Sequence, residues 1–158
     1  MKIIALIFLI LSFTVSAQNC EDIPAMNAEI VALTKAKVKK RVGRGECWDL
    51  AQYVLDETKA EWGGYEYGRL IKPEKECIYP GDIIQFKKIK SKWKEGTLTY
   101  EESMKHHTAV VVKVNNKNEV IIAHQNTAEH GKKVGYSVFR FDRIIGGKLY
   151  IYRPVRKS

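Results

Sequence analysis

Apolar residues recur at roughly helical spacing through Met26, Ile30, Leu33 and Val38, after an Asp22-Ile23-Pro24 start suited to a helix N-terminus. Lys35, Lys37, Lys39 and Lys40 gather toward the end of this element, where cations complement the macrodipole, and Val42-Gly43-Arg44-Gly45 breaks it. Leu50, Ala51, Val54 and Leu55 form a second stripe and predict a helix from about Cys47 to Lys59. Residues 62–69 read as a glycine- and aromatic-rich loop, Tyr79-Pro80-Gly81-Asp82 as a turn, and Ile83-Ile84-Gln85-Phe86 as a short strand. Residues 87–105 are polar and lysine-rich, longer than most connections, and predict a flap or a hairpin around Lys94-Glu95-Gly96. Strands are expected at 107–114, 119–126, about 134–141 and 148–153. Helices first and strands after predict one α+β domain, its N-terminal helices packed on an antiparallel β-meander.

The hairpin of 107–114 with 119–126 carries a register argument. The turn-rich Asn115-Asn116-Lys117-Asn118 joins the two strands. If Val114 pairs with Glu119, paired numbers sum to 233, and His107 falls opposite Asn126. A tighter turn at Asn116-Lys117 keeps the same sum. Directly opposed residues share a face and lie within side-chain reach, so His107 gains an Asn neighbour able to orient its ring. His124 lies two residues from Asn126 on that face and is the rival for the orienting role. His106 points to the other face, and Gln125 is expected to face away.

Composition changes the picture at the N-terminus. Residues 3–15 are apolar, follow Lys2 and end at Val15-Ser16-Ala17, the pattern of a secretory signal peptide that is too short to span a bilayer comfortably. Asn19 stands before Cys20 where a lipobox carries a small residue, so lipidation is not expected. Residues 18–158 then form the mature domain, secreted or periplasmic. Losing Lys2 takes the net charge from +9 to +8. A basic exported chain suits an anionic envelope polymer, or simply a lysine-rich solvated surface. No basic run is interleaved with aromatics strongly enough for nucleic-acid readout. A monomer without stable membrane insertion is expected.

Three cysteines are an odd number for an oxidising compartment. Cys20 and Cys77 both sit in loop-like surroundings, and a bridge between them would leave Cys47 free. A bridge through Cys47 is also open to the sequence and would abolish any catalytic role for it.

A cysteine at a helix start meets unpaired backbone N–H groups and the positive end of the dipole, which favour the thiolate and can receive an oxyanion. With His107 as base and Asn126, or His124, as the group that holds its tautomer, these residues suggest a nucleophilic site. Trp48, Trp62, Tyr65 and Tyr67 are candidate cleft aromatics, the first three taken as substrate-binding. The four histidines show no HExxH spacing and no carboxylate at a ligand-like interval, so neither a metal nor another cofactor is expected.

These residues resemble a family. Cys47 at a helix start, Pro80-Gly81-Asp82-Ile83-Ile84-Gln85-Phe86 opening a strand, His107 followed by Ala109-Val110-Val111, and a strand ending in a polar residue resemble the NlpC/P60 and CHAP papain-like fold. His124-Gln125-Asn126 is similar to the CHAP pattern locally. Gly45-Glu46-Cys47-Trp48-Asp49-Leu50-Ala51, His106-His107-Thr108-Ala109-Val110 and His124-Gln125-Asn126 also resemble the cysteine-proteinase-fold domain of certain fungal SH3 proteins. The resemblance implies a papain-like fold, Cys47 as nucleophile, His107 as base and Asn126 or His124 as orienting group. It implies hydrolysis of an amide bond, commonly in peptidoglycan, or in a peptide. The fungal likeness implies that an interaction module without turnover is a further outcome. Glu46 and Trp48 flank the cysteine where NlpC/P60 members carry Asp and Ser, and His124 stands where CHAP members often carry Glu.

Overall fold

The computed structural model describes Cys20 and residues 22–157; the expected signal segment, 1–17, lies outside the described residues. Helix α1 spans Ala25–Ala36, with Pro24 at the N-cap and no capping side chain, so Asp22 does not play the cap role. Met26, Asn27, Ile30 and Thr34 form its buried face. Helix α2 spans Asp49–Glu57 and buries Leu50, Ala51, Val54 and Leu55, the predicted stripe. Among the described residues no helix is long and apolar enough to cross a membrane.

Six strands follow: β1 Arg69–Ile71, β2 Ile83–Glu95, β3 Leu98–Asn116, β4 Glu119–His124, β5 Gly135–Arg140 and β6 Ile144–Arg153. They form one antiparallel sheet in the order β1-β6-β2-β3-β4-β5. Strands β2 to β5 are consecutive neighbours, whereas β6 returns to the other edge of β2 and carries β1 outside it. This return departs from an uninterrupted meander, and β1 begins at Arg69, the last residue of the loop read from the sequence.

Of the two expectations for the lysine-rich stretch 87–105, the hairpin around Lys94-Glu95-Gly96 holds and the flap does not. The stretch is the outer half of the β2–β3 hairpin, paired out to Glu95 opposite Leu98 with one interruption at Lys88, whose φ is 54°. The turn falls at Gly96, whose φ of 61° suits a residue without Cβ. Across the arm, Trp93 stacks on Tyr100 at 5.3 Å and Lys92 meets Glu101 at 2.6 Å. Such cross-strand pairs make a strand of a lysine-rich sequence.

Both faces of the sheet are covered, so apolar alternation in β3 does not single out one side. Val110, Val112, Ile83, Ala123 and Tyr152 pack with Ile30, Leu50, Val54 and Leu55 of the helices. Ala109, Val111, Ile84, Phe86, Ile122 and Phe139 form a second cluster on the opposite face. The turn before β2 locks onto α1. Asp82 takes hydrogen bonds from Asn27 and Tyr79 N and a two-point contact from Arg153, at 2.8 to 3.1 Å. A Cβ on Gly81, at φ 91°, would strike the Asn27 backbone. A disulfide joins Cys20 to Cys77 and leaves Cys47 as the free cysteine among the described residues.

The β3–β4 register holds where it matters and fails at the turn. Val110 pairs with Ala123 and Val111 with Ile122, numbers summing to 233. Toward the turn two register shifts intervene, so Val114 pairs with Val120 and Asn116 with Glu119, not Val114 with Glu119. Each shift adds one residue on the β3 side, as a bulge does.

Candidate active site

The segment 42–48 is held on two sides before α2 begins. The Asp49 carboxylate, in the first turn of α2, accepts the N–H groups of Arg44 at 2.7 Å and Glu46 at 3.0 Å. Gln125, fully buried, closes the other side. Its Oε1 accepts Val42 N–H at 3.1 Å, while Nε2 donates to Val42 O at 2.9 Å and Glu46 O at 2.8 Å. Gln125 therefore turns toward the cysteine loop and welds it to the end of β4.

Cys47 sits two residues ahead of α2, in a turn closed by Asp49 N–H to Glu46 O. The thiol meets the backbone N–H groups of Thr108, Trp48 and Cys47 itself. Thr108 offers its amide for a reason built into the sheet. Gly81 N–H bonds Val111 O and Val111 N–H bonds Asp82 O, so odd-numbered residues of β3 here turn their polar groups to β2. Even-numbered Thr108 turns toward β4, which ends at His124 and leaves that N–H for the sulfur. Burial pushes the Cys47 thiol pKa up, reinforced by the Glu46 carboxylate and opposed by the three amides. The His107 imidazole is not among these influences.

The structure does not bring the expected base to the sulfur: Thr108 makes the contact, but the ring of its neighbour His107 is buried on the opposite face beside Phe86. His107 Nε2 lies 2.9 Å from His124 Nδ1. The register sum of 233 projects His107 opposite position 126, but β4 has ended and Asn126 adopts φ 62°. Its side-chain amide donates to Glu46 Oε2 at 3.0 Å and its N–H to Gly131 O. The ring contact thus belongs to the diagonal neighbour, His124, which an imidazole is long enough to reach. Asn126, the first choice from register, meets Glu46 instead. Burial pulls the pKa of His107 down to about 4 and that of His124 to about 3, the latter also through His107 and His130.

A groove of about 770 Å³ opens beside the two rings, lined by Met104, Ile122, Asn126, Glu129, Tyr136 and Ser137 among others. The expected cleft aromatics stand elsewhere. Trp48 lines a separate hollow with Arg44, Gln52 and Tyr53. Trp62 donates to Asp56 at 2.8 Å, and Tyr65 is exposed. Tyr67 does approach the thiol: it is buried, its hydroxyl lies 3.5 Å from Thr108 Oγ1, and Cys47 helps raise its pKa behind the leading effect of burial. His106 is exposed, opposite Lys87.

The family profile of the AIM3/BBC1 cysteine-proteinase-fold domain matches residues 25–158, nearly the whole described chain. The chain belongs to that family. No curated protein matches it. Among solved structures, the AIM3/BBC1-type domain is similar to the crystal structure of Ly7917, with a TM-score of 0.52, 14% identity and coverage of 80% of this chain. A second structure, Ly7917 with the hydrolyzing product of MDP, gives 0.52, 15% and 81%. The chain spans 62% of the Ly7917 chain in both. At such identity the likeness shows fold alone. The AIM3/BBC1-type domain here is therefore a cysteine-proteinase fold with, among the described residues, a six-stranded antiparallel sheet and two α-helices.

Gln125 and Asp49 are the positioning residues that sequence reasoning missed. Asp49 at the start of an apolar stripe was visible as a helix-start carboxylate, whereas nothing local marks Gln125, whose partners lie about eighty residues away.

Proposed function

We propose that this papain-like domain is an exported cysteine hydrolase that cleaves an amide bond, with Cys47 as nucleophile, His107 as base and His124 orienting His107. The observation that carries the reading is the free thiol set among three backbone N–H groups, one residue from a buried imidazole whose Nε2 is held by a second ring. His107 Nδ1 is the nitrogen left free, and since the ring lies on the opposite face of β3 without touching the thiol, the reading requires it to turn toward Cys47 when substrate binds. Catalytic hydrogen bonds often tighten only when substrate binds. His107 takes the Cys47 proton, and the thiolate attacks the carbonyl carbon while the oxyanion lies against the Cys47 and Trp48 amides. The C–N bond breaks as His107 passes its proton to the leaving nitrogen. Water then attacks the thioester, His107 accepts its proton, and the acid departs as the thiol re-forms.

Ly7917, which shares the fold, was crystallised with the hydrolyzing product of MDP, and this is compatible with a hydrolase reading. Export is supported by the Cys20–Cys77 bond, which persists in oxidising compartments. Lys90 and Lys94 on the hairpin arm support attraction to an anionic envelope polymer. The test is incubation with purified peptidoglycan and a peptide library, products read by mass spectrometry against Cys47→Ala. New amine and acid termini that require Cys47 support the reading; identical product spectra sink it.

One observation favours a second reading, an interaction module without turnover: the thiol pKa is raised, and the His107 ring does not act on it. A Cys47 that reacts with iodoacetamide no faster than a free cysteine, and is unaffected by His107→Ala, decides for the module.

A further inference from the structure

The two rings are the inner end of a longer chain of polar groups. His124 Nε2 lies 2.9 Å from Ser137 Oγ, on the neighbouring strand β5. Ser137 Oγ in turn lies 3.4 Å from Glu129 Oε2 and 3.5 Å from His130 Nε2. His130 Nε2 also lies 3.1 Å from the Tyr136 carbonyl, which can only accept, so that nitrogen carries its proton. It therefore cannot receive the Ser137 proton, and the Glu129 carboxylate can. Gly135 makes this crowding possible, since it pairs with His124 and a Cβ there would overlap the His130 ring.

We propose that Ser137 and Glu129 are positioning residues that fix the direction of every hydrogen bond leading to His107. The carboxylate is an acceptor only, so Ser137 donates to Glu129 and accepts from His124 Nε2–H. His124 Nδ1 then accepts from His107 Nε2–H, and His107 Nδ1 is left unprotonated. The opposite polarity would have His130 donate to Ser137, Ser137 to His124 and His124 to His107, placing the proton on His107 Nδ1. A hydrogen bond to a charged acceptor outranks the neutral alternatives, and it sets the first direction. That direction leaves His107 able to accept a proton. The catalytic use of this polarity rests on the hydrolase reading; the polarity itself does not.

Tautomers of ¹⁵N-labelled imidazoles, read by long-range ¹H–¹⁵N correlation at neutral pH, test the proposal directly. The expected result is Nε2–H on both His107 and His124, a mixture of tautomers in Ser137→Ala and Glu129→Gln, and recovery in Ser137→Thr. Glu129 has an exposed side chain, so its replacement leaves a folded protein even if Ser137→Ala does not. Nδ1–H on His107 in the unmodified protein overturns the proposal, and so do tautomers unchanged by both substitutions. Iodoacetamide labelling of Cys47 in the same samples reads the hydrolase hypothesis separately. Labelling should slow about tenfold in Ser137→Ala and recover in Ser137→Thr. Correct tautomers with unaltered labelling would remove the catalytic reading and leave the polarity standing.

Discussion

His107 and His124 stand 2.9 Å apart, Nε2 to Nδ1, although the residue projected directly opposite His107 by the strand register is Asn126. The diagonal wins because β4 stops at His124 and the chain turns to bring Asn126 onto Glu46. An imidazole on one strand can reach a diagonal neighbour that a shorter side chain would miss.

That geometry separates two substitutions that sequence alone ranks the other way. His124→Ala should slow alkylation of Cys47 by about tenfold or more, whereas Asn126→Ala should change it by less than about twofold. The rates come from iodoacetamide labelling followed by mass spectrometry. A larger loss in Asn126→Ala would return the orienting role to the amide.

Acid should destabilise the fold before most carboxylates titrate. Unfolded histidines bind protons near 6.5, whereas folded His107 and His124 do so only near 4 and 3. Between those values the unfolded state holds more protons, so stability falls as pH falls through that window. From pH 7 to about 4.5 each ring should remove up to about 2–3 kcal/mol. Urea denaturation at both pH values measures this, and His124→Gln should flatten the dependence. An equally steep profile in that variant would assign the effect to other groups.

Gln125 should matter for folding as much as for the site. Gln125→Ala removes three hydrogen bonds and strands Val42 and Glu46 backbone groups, a loss of about 3 kcal/mol. For a domain of this size the Tm should fall by roughly 6–12 °C, measured by calorimetry. Labelling of Cys47 should slow in parallel, because the loop that presents it loses its tie to β4. An unchanged Tm would mean that the Asp49 contacts suffice.

The disulfide should support the fold without contributing to the site. It spans 57 residues, and opening such a loop costs about 4 kcal/mol in the chain-entropy account. Reduction should lower the Tm of the wild type and leave Cys20→Ser/Cys77→Ser unaffected. Cys77 and Cys20 line a hollow with Lys113–Lys117, at the far end of β3 from His107. Cys47 labelling below the Tm should therefore survive the double substitution, and its loss would show that the bridge reaches the site.

The sequence by itself determined whatever repeats at short range or is carried by residue type. The α2 stripe, Met26 and Ile30 of the α1 stripe, and the β3–β4 pairing near Val110 and Ala123 follow from periodicity and turn chemistry, whereas which cysteine stays unpaired was left open. Turn chemistry offered the hairpin at Gly96, but periodicity could not choose it over a flap, because its strands are held by cross-strand pairs such as Trp93 with Tyr100. Nor could it choose a face for β3, since both faces are buried. Only the tertiary structure decided that His124 touches His107, that Gln125 turns inward to the cysteine loop, and that Ser137 extends the chain of rings toward Glu129. Those contacts depend on where β4 ends and on segments about eighty residues apart meeting, and local pattern carries neither.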